Sequence, residues 1–412
     1  MEWNFDNVKY NGKDLDRVQV DGVTVWEKKK VVYYEYCRNT ATTRIDTGII
    51  ANNNTRLEFK LWGNVTDSFY SMGTRDGAAG RLIFALSGSR NDQSVQVGIG
   101  TTTTKITNLT RISSGYTYSG WYQTNGDMTY SYYLKDEGTN TEYSNSNISY
   151  TQSLADNEKH IFLFSNGFND IIPTLRLYYV RIYQDGVLVR DFRPAKVNGV
   201  NGLYDEVSKQ LFTAPNLLVS GEIKYYDYLQ NDGVAYIDTG IKNIINCEFG
   251  AVAQQLELYS GFPTILGAND TSSTYKVIFG YGTTSGMFYS QTGGNSGWTR
   301  FIARDLNKHS MVAKIYANSA EFTFDNTTYT ASYANTNSIN YSLYLFARNS
   351  YGSVTSNTKQ RVYSLYIIDN GVLIREYKPC LYNGVAGLWD SVECKFYGNA
   401  NNTGTLTVGN DE

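Results

Sequence analysis

Aromatic side chains gather in two segments of the sequence, where they could stack against sugar rings. The first segment contains Trp121, Tyr122, Tyr130 and Tyr132, and the second contains Tyr281, Tyr289 and Trp298. A flat ring covers the face of a sugar, and a tyrosine hydroxyl adds a hydrogen bond at the rim. Rings at alternate positions of a strand share one face of the sheet, so about half of them should pack in a core. Carbohydrate binding and packing, in a core or between subunits, remain as two interpretations.

Two repeated aspartates, Asp46 and Asp238, are weak candidates for a metal site. Each is followed by Thr-Gly-Ile, and no Asp-x-Asp cluster accompanies either residue. Carboxylate oxygens suit Ca²⁺, but that ion takes roughly six to eight oxygen ligands. We therefore expect both aspartates to cap a strand-to-turn junction, and we expect no cofactor.

Two arginines, Arg190 and Arg375, occupy matching positions between apolar residues of predicted strands. Such a side chain could grip an acidic sugar. A repeated ion pair or stacking contact inside each domain is the interpretation that we favour. Asp205 and Asp390, which also match, are expected to form turns.

The sequence contains no recognisable catalytic set. His160 and His309 do not occupy matching positions, and no Gly-x-Ser-x-Gly element accompanies them. A serine-based hydrolytic triad is therefore unsupported. A glycosidase needs two carboxylates roughly 5–10 Å apart, and the Glu-x-Asp alternation that would place them on one strand is missing. We expect a protein that is not an enzyme.

A stretch near the middle of the chain is repeated near its end. Gly186–Val207 reads GVLVRDFRPAKVNGVNGLYDEV and Gly371–Val392 reads GVLIREYKPCLYNGVAGLWDSV, so 12 of 22 positions are identical. Five further positions exchange residues of similar size or charge. The Ile-Asp-Thr-Gly-Ile motifs that begin at Ile45 and Ile237 extend the repeat. The pattern indicates two copies of one packed unit.

Each copy shows strand patterns separated by turn signals. Arg56–Trp62 alternates apolar and polar residues, as a half-buried strand does. Asp185-Gly186 and Asn370-Gly371 predict two-residue hairpin turns, which require positive φ at both positions. Pro194 and Pro379 predict the ends of the strands that follow, because proline cannot donate to a ladder. No long helical pattern occurs, and the sequence predicts an all-β fold of two tandem sandwiches.

Residues 1–30 form a separate predicted unit before domains at 31–221 and 222–412. Asn11-Gly12 and Asp21-Gly22 mark two hairpin turns. A piece of this size buries little surface alone, so we expect an anchor on a larger assembly; an extra sheet on the first domain is the alternative. The side chains expected to make the attachment are Trp3, Phe5, Tyr10, Val20, Val23 and Trp26.

Composition excludes several classes of partner. The net charge is −3 and the only basic run is Lys28-Lys29-Lys30, so nucleic acid is not expected as a partner. No apolar run reaches the roughly 18 residues that span a bilayer, so membrane insertion is not expected either. The N-terminus lacks the basic start and apolar core of a signal peptide, so we expect a protein that is made in a bacterial cytoplasm and, if it acts outside the cell, leaves by another route such as lysis.

The four cysteines are too few for a disulfide scaffold. A Cys380–Cys394 bridge, unique to the second copy, is one interpretation. Free thiols are the interpretation that we favour.

The repeated motifs resemble a known group of modules. The second copy opens with YLQNDGVAYIDTG from Tyr228 to Gly240, and it closes with Gly387–Asp390 and Phe396–Asn399. These motifs resemble laminin-G-like, concanavalin A-like lectin/glucanase modules, which are frequent in proteins of gut bacteria and their bacteriophages. The resemblance covers both copies, implies a jelly roll of two facing sheets for each, and often implies glycan binding.

The leader, with Val8–Gly12 and Val20–Val23, resembles the start of many phage structural proteins. The resemblance implies a virion component such as a head or tail fibre, a decoration protein or an appendage. We expect a homo-oligomer that binds other virion proteins through residues 1–30 and displays two lectin-like domains for adhesion to host-surface or environmental glycans. A purely structural cementing or spacer protein is one alternative. A polysaccharide-active enzyme, or its accessory carbohydrate-binding module, is the other.

Overall fold

A computed structural model gives the fold of the 412-residue chain. It describes side chains for residues 29–40, 43–63, 71–74, 82, 95–99, 117–150, 154, 159–165, 175–242, 246–257, 264–269, 277–280, 305–317, 319–330, 340–355 and 357–411. The remaining residues of the strands given below are described by backbone alone. All regular structure in these residues is β-strand. Among them, no helix of sufficient length and apolarity to traverse a bilayer is found.

The leader contains two small antiparallel pairs of strands. β1 (Val8–Tyr10) pairs with β2 (Lys13–Leu15), and β3 (Arg17–Val20) pairs with β4 (Val23–Glu27). The predicted attachment residues Tyr10, Val20, Val23 and Trp26 lie in these strands, with side chains outside the described set; Trp3 and Phe5 lie outside the described residues altogether. The role of the leader as an anchor stays a prediction.

The chain divides into two compact units, residues 1–221 and 222–412. The strands of the first unit that follow the leader are β5 (Val31–Asn39), β6 (Ile45–Ile50), β7 (Thr55–Asn64), β8 (Phe69–Asp76), β9 (Gly80–Ser89), β10 (Asp92–Ile99), β11 (Thr102–Ile106), β12 (Tyr116–Thr124), β13 (Thr129–Asp136), β14 (Thr141–Ser149), β15 (His160–Leu163), β16 (Thr174–Gln184), β17 (Val187–Val197), β18 (Val200–Asp205) and β19 (Gln210–Phe212). The boundary between the units falls within β20 (Leu217–Tyr225).

The second unit repeats this order of strands. Its strands are β21 (Tyr228–Asn231), β22 (Ile237–Asp238), β23 (Cys247–Gln255), β24 (Thr264–Asn269), β25 (Lys276–Tyr281), β26 (Met287–Thr292), β27 (Trp298–Ala303), β28 (Lys308–Ile315), β29 (Ser319–Phe324), β30 (Thr327–Ser332), β31 (Tyr344–Leu345), β32 (Arg348–Ser350), β33 (Ser353–Thr355), β34 (Gln360–Asp369), β35 (Val372–Tyr382), β36 (Val385–Asp390), β37 (Lys395–Tyr397) and β38 (Leu406–Gly409).

Each unit is built from two sheets, which are antiparallel except that β24 of the second unit also pairs with β32 in parallel; β32 in turn pairs with β33 antiparallel. In the first unit the larger sheet has the order β14-β13-β12-β7-β16-β17-β18-β19, and the smaller has the order β11-β10-β9-β8-β15-β6. In the second unit the corresponding orders are β30-β29-β28-β23-β34-β35-β36-β37 and β27-β26-β25-β24-β31-β22. The predicted all-β fold of two jelly-roll sandwiches is confirmed.

The core of each unit lies between its two sheets. In β7 of the first unit, Leu57, Phe59 and Leu61 are buried while the residues between them are half-exposed. They pack in one cluster with residues of the smaller sheet, including Met72 and Val97. This alternation follows from the two-residue period of a strand. It leaves the other face of the larger sheet free to carry polar side chains.

The predicted hairpin turns are confirmed. Asp185 and Gly186 have φ of 50° and 78°, and Asn370 and Gly371 have φ of 47° and 81°. These values fit the left-handed region that a two-residue turn demands. The turns connect β16 to β17 and β34 to β35.

The prediction that the two prolines end their strands is wrong. Pro194 lies inside β17 and Pro379 lies inside β35. Along one side, β17 pairs with β16 up to Phe192 and with β5 from Ala195 onward. Pro194 therefore occupies the gap between two partner strands, where a missing N–H interrupts no ladder. Pro379 occupies the same gap between β34 and β20.

In each unit, an asparagine forms two hydrogen bonds with the residue at which the chain enters the sandwich. The Asn198 side chain accepts a hydrogen bond from the backbone N–H of Lys30 (3.0 Å), and the Asn198 N–H donates to the Lys30 carbonyl (3.2 Å). Asn383 makes the same two bonds to Glu222, at 3.2 and 3.0 Å. Each Asn-Gly turn thus fixes the point where the chain joins a sandwich.

The four cysteines, Cys37, Cys247, Cys380 and Cys394, are free and buried. The free-thiol interpretation is therefore confirmed, and the alternative Cys380–Cys394 bridge is not formed. Burial raises the pKa of Cys37, Cys247 and Cys380 to about 12.

Candidate functional site

Each unit contains an ion pair between a half-buried arginine and a fully buried aspartate on neighbouring strands. Nε of Arg190 lies 3.6 Å from Oδ2 of Asp205, and Nε of Arg375 lies 3.4 Å from Oδ2 of Asp390. Both aspartate side chains are fully buried, and both accept hydrogen bonds from backbone amides of the turn that follows them. The expected pairing of the arginines and the turn-forming role of the aspartates are confirmed. These arginines already have a partner inside the fold.

The strand that carries the arginine forms a hydrogen bond to the Ile-Asp-Thr-Gly segment in both units, but through a different side chain in each. In the first unit, Nε of Arg190 donates to the carbonyl of Thr47 in β6, at 3.1 Å. In the second unit, the hydroxyl of Tyr377 donates to the equivalent carbonyl of Thr239, at 3.4 Å. Phe192 stands at the position of Tyr377 in the first unit and has no hydroxyl to offer. One repeated carbonyl position is thus satisfied by two different donors.

Burial raises the pKa of the aspartate in the second pair. Loss of solvent raises the pKa of Asp390 to about 6, although amide hydrogen bonds and the charge of Arg375 act in the opposite direction. An ionised carboxylate at this position is therefore costly despite its partners.

Asp46 and Asp238 cap turns. The Oδ1 atom of each accepts a hydrogen bond from the amide two residues later, Gly48 at 2.8 Å and Gly240 at 2.9 Å. Oδ2 of Asp46 also lies 2.9 Å from Nδ1 of His160. Within the described ranges, no cluster of three or more His, Cys, Asp or Glu side chains could hold a metal ion. The capping role expected from the sequence accounts for both aspartates.

The second histidine is held by two carboxylates. Nδ1 of His309 lies 2.9 Å from Asp325, and Nε2 lies 2.8 Å from Asp305. Burial opposes ionisation of Asp305, but hydrogen bonds from His309 and Asn307 outweigh it and lower its pKa. This arrangement holds the start of β28 beside the residue that follows β29.

Three of the predicted sugar-binding tyrosines lie in the core. Tyr122, Tyr130 and Tyr132 are buried between the sheets of the first unit, where a sugar cannot reach them. Tyr122 packs against Phe59 with ring centroids 6.4 Å apart. This corrects the prediction for these three residues, because the inner face of the larger sheet requires apolar area. The side chains of Tyr281, Tyr289 and Trp298 lie outside the described residues.

Trp121 alone among the described candidates faces outward. It lies opposite Glu58 of β7 in the larger sheet. The guanidinium carbon of Arg56 lies 4.5 Å from the Trp121 ring and 6.0 Å from the Tyr183 ring. Arg56 also forms an ion pair with Glu58, and the hydroxyl of Tyr183 donates to Glu58 at 3.3 Å. Four strand residues, from β7, β12 and β16, therefore form one connected cluster on the outer face.

A pocket of about 620 Å³ opens beside this cluster. Its wall carries the carboxylate of Asp185, whose Oδ1 accepts from Asn54 at 2.9 Å. Amide groups of Gln123 and Asn125 lie on the opposite side, 3.4 Å from each other. The residues that line the pocket are Asn54, Arg56, Glu58, Gln123, Thr124, Asn125, Tyr183, Asp185 and Gly186. A ring face, planar amides and carboxylates are the groups that recognise a polyhydroxylated ligand.

None of the residues predicted from the sequence to bind sugar lines this pocket. The sequence indicated Arg56 and Glu58 as polar positions of an alternating strand and Asp185 as part of a turn, but not as residues of a binding pocket. Nothing local indicated that Tyr183, 127 positions after Arg56, would lie opposite it in the next strand. Pairing of distant strands creates the pocket, and that register is not written in any one segment.

Two solved laminin fragments align with the chain at low similarity. The mouse laminin alpha1 chain, domains LG4-5, is 11% identical with a TM-score of 0.28, over 84% of this chain and 91% of that chain. The LG1-3 region of the laminin alpha2 chain is 10% identical with a TM-score of 0.28, over 94% and 69% of the two chains. TM-scores this low carry no conclusion about function. No protein-family model matches the sequence, and no curated protein matches it.

Proposed function

We propose that the protein is a non-enzymatic carbohydrate-binding protein, and that the pocket of the first unit holds the sugar. The main support is the convergence of the Tyr183 ring, three side-chain amides and the carboxylates of Glu58 and Asp185 on one pocket. Aromatic rings cover sugar faces, while amides and carboxylates bond hydroxyl groups. Both elements of sugar recognition are therefore present at one place.

The partners of the pocket carboxylates favour binding over catalysis. Glu58 is engaged by Arg56 and by the Tyr183 hydroxyl. Asp185 accepts hydrogen bonds from the amides of Asn54 and Asn52, at 2.9 and 3.3 Å. Carboxylates held in this way orient the hydroxyl groups of a ligand, whereas a glycosidase needs one that delivers a proton to the leaving group.

A glycan array probed with the intact chain tests this proposal. Retention on a set of glycans would support it. Retention on none would reject carbohydrate binding and leave the structural spacer as the function. Release of reducing ends from a retained polysaccharide would instead support an enzyme.

We further propose that the protein acts on a bacteriophage particle, with the leader of residues 1–30 as its attachment. The support is the leader sequence and its two small strand pairs, β1–β2 and β3–β4, which cannot bury much surface alone. Many copies on one particle would strengthen individually weak sugar contacts. Deletion of residues 1–30 should abolish incorporation into particles while retaining the melting profile of the two units. Unchanged incorporation would reject this placement.

A further inference from the structure

We infer that the sugar site belongs to the first unit alone and that it takes an uncharged pyranose. This inference rests on the proposed function and specifies its ligand and stoichiometry. It follows from a residue-by-residue comparison of the outer faces of the two larger sheets.

The strand pairings show which residues of the two larger sheets occupy equivalent positions. Thr55 lies opposite Gln184 in the first unit, and Cys247 lies opposite Asp369 in the second. Gln184 and Asp369 immediately precede the repeated turns that begin at Asp185 and Asn370. Counting from these pairs, the second unit has Glu248 for Arg56, Gly250 for Glu58, Ile368 for Tyr183 and Val312 for Trp121.

The second unit therefore has none of the four side chains of the cluster at the equivalent positions. An aliphatic side chain replaces each of the two rings, and glycine replaces the central carboxylate. The space above Gly250 is filled by the ring of Tyr366, which a Cβ at Gly250 would overlap. The hydroxyl of Tyr366 donates to Glu248 at 2.8 Å, so the ring is fixed over the glycine. The Tyr366 ring therefore covers the surface of the second unit that corresponds to the proposed sugar site.

The charges of the first-unit pocket determine the ligand class. Arg56 is the only cation among the described residues that line it, and its guanidinium is paired with Glu58, whose Oε2 also lies 3.8 Å from a guanidinium nitrogen of Arg181. Asp185 is exposed and has only neutral amide partners. The Asp185 carboxylate thus presents to a ligand a negative charge that has no cationic partner among the described residues that line the pocket. Hydroxyl groups can donate to that carboxylate, whereas a uronate or sialate group would be repelled by it.

Asp185→Asn tests the ligand class without disturbing the turn. Asparagine occupies the equivalent position in the second unit, where Asn370 has φ of 47°. The change should weaken binding of an array-selected neutral oligosaccharide roughly tenfold, because a charge-assisted hydrogen bond is lost. It should also reduce the discrimination against the matching uronate-containing oligosaccharide. Asn370→Asp is the matched control and should leave both affinities unchanged.

Titration calorimetry of the full chain tests the location. We expect one neutral oligosaccharide per chain, and we expect Tyr183→Ile, which introduces the residue of the second unit, to weaken binding at least roughly tenfold. Near-ultraviolet circular dichroism verifies that each variant is folded. Two ligands per chain, full affinity in folded Tyr183→Ile, or preference for the uronate would overturn the inference while leaving carbohydrate binding intact. Absence of any binding by the wild-type chain would reject the proposed function itself.

Discussion

Arg190 and Asp205 lie on adjacent strands with Nε and Oδ2 3.6 Å apart, and the pair is repeated by Arg375 and Asp390 at 3.4 Å. Both carboxylates are sealed from solvent, so each arginine is the partner that makes a buried charge tolerable. The pair holds the hairpin strands β17 and β35 against the strand that follows each of them.

Removal of one member of such a pair should be strongly destabilising. Asp205→Ala leaves Arg190 without its ionic partner and the amides of the following turn without an acceptor. We expect a loss of about 3 kcal/mol in the free energy of unfolding, measured by chemical denaturation. Lys378→Gln, which breaks the exposed ion pair with Glu376, is the control and should cost less than about 0.5 kcal/mol. Equal effects of the two changes would contradict a structural role for the buried pair.

The raised pKa of Asp390 predicts a definite pH dependence. The ordinary pKa of an aspartate carboxyl is 3.8, whereas the pKa of Asp390 in the folded protein is about 6, so the folded state binds the proton more tightly. The contribution of this group to stability therefore increases as the pH falls through 6 and is lost as the pH rises. Wild type relative to Asp390→Asn should gain roughly 1 kcal/mol between about pH 7.5 and about pH 5. Denaturation curves of both proteins at the two pH values measure this, and a difference of the opposite sign would refute it.

Two glycines should respond differently to a methyl group. A Cβ at Gly120 in β12 would overlap the backbone carbonyl oxygen of Tyr133 in β13. Gly120→Ala should therefore cost about 2–3 kcal/mol through overpacking. A Cβ at Gly186 meets no atom, and only its φ of 78° is unfavourable, so Gly186→Ala should cost about 1 kcal/mol. Thermal unfolding of the two variants provides the measurement, and a larger loss for Gly186→Ala would contradict the packing at Gly120.

The four thiols should react with a disulfide reagent only slowly until the protein unfolds. All four cysteines are buried, and burial raises the pKa of three of them to about 12. Because the thiolate is the reactive form, the native protein should react slowly with a disulfide reagent such as Ellman's reagent at about pH 8. In denaturant without reductant, all four thiols should react at once. Two reacting thiols in denaturant would instead reveal a Cys380–Cys394 bridge.

The repeat made much of the fold predictable. Matching residues such as Arg190 and Arg375 indicated two equal units, and the Asp-Gly and Asn-Gly pairs located the hairpins. These features are local, so one segment is enough to predict them. Pro194 misled the prediction because its effect depends on which strand lies beside it, and β5 comes from far away in sequence.

The candidate site was harder to predict for a related reason. Trp121 and Tyr122 are neighbours in sequence, yet one faces the pocket cluster and the other faces the core. Aromatic content alone cannot choose between them, because a shift of one residue reverses both faces of a strand. The pocket also needs β7, β12 and β16 side by side, and only their pairing shows that Arg56 meets Tyr183.

Each sandwich is a cassette, that is, a unit whose own asparagine forms the hydrogen bonds to the residue at which it begins, Lys30 or Glu222. The bonds that hold the first residue of a cassette come from the cassette itself, through Asn198 or Asn383. A shortened gene that joins codon 29 directly to codon 222 would preserve both of these bonds in the remaining copy. The leader and a single sandwich therefore meet at a joint that is already held by the sandwich that remains.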